Sequence, residues 1–82
     1  MWNLGSNLTP MRLPQLKPRK ICRAIERLGF VCVRQTGSHL IYKHSDGRFT
    51  IVPHHPGDIN RRLLMKIIKQ ISISKEEFLK YL

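Results

Sequence analysis

From Gly29 to Pro53 the chain is divided by turn signals into three short extended pieces, and this spacing limits the possible folds more than any other feature. Phe30 to Arg34, Ser38 to Lys43 and Arg48 to Val52 carry most of the β-forming residues of the segment, with Gln35-Thr36-Gly37 and Ser45-Asp46-Gly47 between them. Connections this short leave no room for a crossover helix, so consecutive pieces must pair antiparallel, as two hairpins. Pro53-His54-His55-Pro56-Gly57 then closes the sheet, because two prolines within four residues cannot continue a hydrogen-bonded ladder.

Helical periodicity flanks the sheet on both sides. Pro18 suits a first helical position, and Ile21, Cys22, Ile25 and Leu28 recur on one face opposite Arg19, Arg23, Glu26 and Arg27. Gly29 supplies a left-handed stop, with Phe30 placed to pack back on Ile25. After the closing loop, Asp58 or Asn60 caps a second helix in which Leu63, Leu64, Ile67, Ile68 and Ile71 form an apolar stripe opposite Arg61, Arg62, Lys66 and Lys69. Ser74-Lys75-Glu76-Glu77 has capping-box spacing, with Ile73 and Phe78 at staple positions, and predicts a short terminal helix. The expected fold is α+β: α-β-β-β-α with a short C-terminal helix, the helices packed on one face of a three-stranded antiparallel sheet.

With 82 residues, one domain over 18–82 accounts for the whole pattern. Residues 1–17, which hold two prolines, little periodicity and a second methionine at Met11, are read as an N-terminal arm, an alternative start or a remnant. Fifteen Lys and Arg against five Asp and Glu give a formal charge of +10, which attracts phosphate backbones or an acidic protein partner. Cys22 and Cys32 are too few for a disulfide framework and are expected as buried free thiols in a reducing cytosol. No membrane span or export signal is expected, which points to a cytoplasmic protein.

One titratable ring stands out. Gly37-Ser38-His39 leads into the run Leu40-Ile41-Tyr42, so His39 sits at the mouth of a strand in a strongly basic chain. It is either a strand-end packing residue or a proton-transfer group beside a polyanion. On the second reading, Arg34 before the tight connection and Lys43 four residues beyond His39 are the cations that stabilise a phosphate transition state. His54 and His55 offer no metal site, since adjacent histidines diverge and no cysteine or acid cluster accompanies them; one of them instead touches RNA or shapes the loop. His44, beside Asp46-Gly47, is expected in solvent. Arg61, Arg62, Lys66 and Lys69 are a solvated face or a set of phosphate contacts. Period two puts His39, Ile41 and Lys43 on one sheet face and Leu40 and Tyr42 on the other without saying which is buried.

Several motifs, in order, carry a resemblance: Leu28-Gly29-Phe30, Arg34-Gln35-Thr36-Gly37-Ser38-His39, Tyr42 with the Asp46-Gly47 turn, Val52-Pro53 before His54-His55, and Ile67-Ile68-Lys69-Gln70 leading to Glu77-Phe78. From about Leu16 to Leu82 the chain resembles the HicA, or YcfA-like, family of toxin endoribonucleases. The resemblance implies a double-stranded-RNA-binding-like fold, a catalytic histidine at His39, cleavage of messenger RNA without metal or cofactor to inhibit translation, and neutralisation by a HicB-type antitoxin. Arg34, Ser38, Lys43, His55, Arg61, Arg62 and Lys66 are then the expected RNA contacts. A non-catalytic RNA-binding module of the same fold is the competing function. The chain departs from the family's pattern at the second helix, where a glycine and a small hydroxyl residue usually precede the leucine. Arg62-Leu63-Leu64 stands there instead, and Arg62 is expected to add a phosphate contact.

Overall fold

The structure, a computed structural model, describes residues 13–82. Its elements are α1 (Pro18–Arg27), β1 (Val31–Thr36), β2 (His39–Lys43), β3 (Phe49–Pro53), α2 (Arg61–Gln70) and α3 (Lys75–Leu79). The sheet has the order β1-β2-β3, antiparallel throughout. Both longer helices pack on β3, and α3 packs on α2. This is the α+β, double-stranded-RNA-binding-like arrangement read from the sequence.

Local chemistry explains where each element stops. Gly29, at φ +98°, follows the end of α1, and the Phe30 and Gly29 amides donate to the Ile25 and Glu26 carbonyls at 3.0 Å each, the paired bonds of a Schellman ending. Asn60, not Asp58, caps α2, its Oδ1 accepting the Leu63 amide at 2.8 Å. Ser74 caps α3 through the Glu77 amide at 3.0 Å. The first hairpin turns later than the sequence suggests. β1 runs on through Gln35 and Thr36, and the connection is the two-residue turn Gly37-Ser38, with Gly37 at φ +56°. Such a tight turn favours glycine at its first central position and twists with the strands.

A β-bulge decides which residues share a face. Cys32 pairs with Tyr42 but Arg34 pairs with Ile41, so Val33 has no partner. The extra residue resets the alternation and brings Arg34 and Thr36 onto the same face as Ile41 and His39. The opposite face is the buried one: Tyr42, Thr50 and Val52 are buried and Leu40 half-buried against the helices. The core there joins Ile21, Ile25, Leu64, Ile67 and Phe78. The open face keeps His39, Ile41 and Lys43, with Val31, Phe49 and Ile51 exposed beside them.

Three expectations need correction. Residues 13–17 belong to the domain and are no separate arm: Leu13 is buried in the core, the Ile59 amide donates to the Leu16 carbonyl at 2.7 Å, and Lys17 bonds Asp58. The domain therefore begins at least five residues before Pro18; residues 1–12 lie outside the described residues. Cys22 is buried as expected, but Cys32 is exposed because it lies on an edge strand whose residues are all exposed. His44 is not in free solvent. Its ring meets Phe30 edge-on at 5.1 Å and its Nδ1 accepts the Asp46 amide at 3.1 Å.

Candidate functional site

The start of β2 is held from both sides. His39 opposes Thr36 across the turn and Pro53 on β3, and the His54 amide donates to the Ser38 carbonyl at 2.6 Å. The His39 backbone is thus fixed while its side chain stays exposed on the open face. Where that face meets α2, a groove of about 300 Å³ runs along β3. Ile51, Pro53, Leu63 and Ile67 give it an apolar floor, and His39, Lys66 and Gln70 supply its polar groups. Lys66 and Gln70 are four residues apart on α2, so they share one helical stripe.

Gln70 is oriented from beneath. Thr50, fully buried on β3, donates its hydroxyl to Gln70 Oε1 at 2.7 Å. With that oxygen taken, the exposed amide of Gln70 offers N–H donors. The sequence marked neither as a site residue, since Gln70 enters only as the end of the Ile67-Ile68-Lys69-Gln70 motif and Thr50 reads as an ordinary strand residue. The only signal available was a small hydroxyl at an inward-facing strand position.

The expected site residues fall into three groups. His39, Lys66 and Arg34 come together: Lys66 lines the groove, and Arg34 is the diagonal cross-strand neighbour of His39, roughly 7 Å away on the same face. Lys43 shares the face but lies four residues along β2, about 13 Å from His39 along the strand. Ser38 contributes its carbonyl to the His54 amide. Arg62 is exposed in the first turn of α2, and Arg34, Lys43, Arg62 and Lys66 form no ion pair among the described residues. Arg61 donates its Nε to the Leu13 carbonyl, which ties that guanidinium to the chain preceding α1. His55 borders a separate cavity, and its Nδ1 accepts the Gly57 amide at 3.2 Å.

Among the described residues, no group of three or more His, Cys, Asp and Glu side chains is placed to hold a metal ion, and no helix is long and apolar enough to cross a membrane. Away from the groove, the Tyr42 hydroxyl donates to Glu26 Oε2 at 2.7 Å beside Cys22. Burial pushes the Cys22 thiol and the Tyr42 phenol above their ordinary ranges.

A family model described as the HicA toxin of bacterial toxin-antitoxin matches residues 18–73, about two thirds of the chain. The chain belongs to the HicA toxin family. The matched stretch takes in α1, the whole sheet and α2, hence every residue of the groove. It includes Arg62 at the opening of α2 and stops short of α3. No curated protein matches the chain.

Proposed function

We propose that this toxin binds and cleaves messenger RNA to inhibit translation, with His39 as the proton-transfer residue. The observation that carries this reading is the exposed His39 ring sharing one groove with Lys66 and Gln70 in a chain of formal charge +10. Internal transfer in RNA needs a proton removed from a ribose 2′-hydroxyl, a new bond from that oxygen to phosphorus, and a proton given to the departing 5′-oxygen. The products are a 2′,3′-cyclic phosphate and a 5′-hydroxyl. A histidine suits either proton step, or both in turn. Lys66 and the Gln70 amide are the donors for the charge that builds on the phosphoryl oxygens, with Arg34 approaching from the next strand. Ser38, Lys43, His55 and Arg62 serve as further contacts along the RNA.

No step in this scheme calls for a metal or cofactor, and the reaction is expected to run in chelator. One positioned acid or base contributes about a hundredfold to ten-thousandfold in rate, so a modest nuclease is expected. His39→Ala and His39→Gln should lose at least about a hundredfold in single-turnover cleavage. Both should keep RNA binding and a parental circular dichroism spectrum, because the side chain is exposed. Cleavage that survives both substitutions would overturn the role of His39, whereas a parent chain that binds RNA without cutting it would be a non-catalytic RNA-binding module of the same fold. The partner proposed for this cytoplasmic toxin is a HicB-type antitoxin that covers the open sheet face and the groove and so blocks RNA sterically.

A further inference from the structure

A second cavity, of about 280 Å³, lies behind the sheet end that carries His39. Pro18 and Cys22 of α1 and Leu40 and Tyr42 of β2 make it largely apolar. Around these stand Lys17, Arg19, His54 and His55, and no acidic side chain among the described residues lines it. Lys17 is engaged by Asp58 at 3.4 Å and by the Pro56 carbonyl at 3.2 Å. The Arg19 side chain makes no hydrogen bond or ion pair among the described residues. Both histidine residues are exposed, and the His55 ring is steadied by the Gly57 amide.

We propose that this cavity is a nucleotide subsite, taking one base of single-stranded RNA against the His54 and His55 rings and the adjoining phosphate at Arg19. The inference rests on the RNA reading above and extends it to a second place on the chain. Apolar surface, stackable rings and a cation, here Arg19, are the combination by which single strands are held. The volume is at the lower edge of the ~300–1,000 Å³ of small-ligand sites, room for one planar base and not for a length of peptide. The two sites are also continuous. Pro53 pairs with His39, and the next residue, His54, is bonded to the Ser38 carbonyl, so a strand whose phosphate lies at His39 meets the cavity on crossing the sheet end.

The test uses His39→Ala protein, in which binding is read apart from cleavage. Adenosine and uridine 5′-monophosphates are titrated while backbone amide shifts are followed by NMR, with changes expected at Arg19, Leu40, His54 and His55. In the same background, His54→Ala should weaken a short single-stranded oligoribonucleotide about fivefold to a hundredfold. Arg19→Ala should reduce the salt dependence of binding by about one ion. Nucleotide shifts elsewhere on the surface, or both variants binding RNA as the parent does, overturn the subsite. So does a pattern in which the variants weaken only the antitoxin. Nucleotide seated in the cavity of a chain that never cuts RNA upholds the subsite and defeats the catalytic reading. Cutting by a chain whose cavity ignores nucleotide does the reverse.

Discussion

At the scale of single residues, two helix endings make the same demand for a positive φ and meet it with different residues. Gly29 sits at φ +98°, and a Cβ there would lie 2.9 Å from His44 Nε2. Ser72 follows the end of α2 at φ +58°, a conformation that costs a side chain roughly 1–2 kcal/mol. Gly29→Ala should therefore destabilise by about 1–2 kcal/mol or more, since the His44 ring must also move. Ser72→Gly should stabilise by about 0.5–1 kcal/mol, which raises Tm by a few degrees in a domain of this size, about 4–8 °C per kcal/mol. Paired thermal melts check both signs. Burial also sets a pH dependence. The Cys22 thiol ionises near its ordinary 9.0 in the unfolded chain and only above that in the folded one. The unfolded state thus loses protons first, so the stabilisation is complete below that value and is lost as pH rises through it. Denaturant midpoints should fall from about pH 8 to about pH 10, with Cys22→Ala flattening that slope whatever its effect on the midpoint at neutral pH.

Elements are joined here by a few side chains that periodicity does not reveal. Arg48 leaves the second hairpin to bond the Ile71 carbonyl at the end of α2, lies 5.1 Å over the Phe30 ring and pairs with Asp46 at 2.8 Å. Backbone and side-chain bonds from Arg48 hold the Asp46 carboxyl below its ordinary range. Arg48→Ala should cost about 1.5–3 kcal/mol in denaturant unfolding, because a charged donor and a carbonyl acceptor are separated. Arg48→Lys should recover little of it, since an ammonium reproduces neither the fork nor the stacking. The elements themselves were legible from Gly29, Asn60, Ser74 and the apolar stripe of α2, each a local signal with a local cause. The bulge at Val33 was not, for Val31-Cys32-Val33 reads as an unbroken strand and only its pairing to β2 exposes the extra residue. Without that bulge Arg34 would face the helices, not His39.

For the molecule as a whole, the helices cover one sheet face and leave the other open, with Val31 62 % and Phe49 50 % exposed beside Lys43 and Arg34. Apolar surface flanked by unpaired cations suits an acidic partner. In the complex with the proposed antitoxin, His39 should be shielded, and carbethoxylation of its ring should slow at least tenfold relative to the free toxin. An antitoxin that silences the toxin with His39 reacting at its free rate would show that inhibition acts by another route. The sequence alone determined the order of elements, the two hairpins, the basic character and the family, because caps, turns and apolar period are written in neighbouring residues. It also singled out His39. Tertiary structure decided which sheet face is buried, that residues 13–17 join the core, and that Lys66 and Gln70, the latter held by buried Thr50, meet His39 at one groove. Those outcomes depend on packing between segments far apart in the chain, where period two is the same for either face and only the covering helices break the tie.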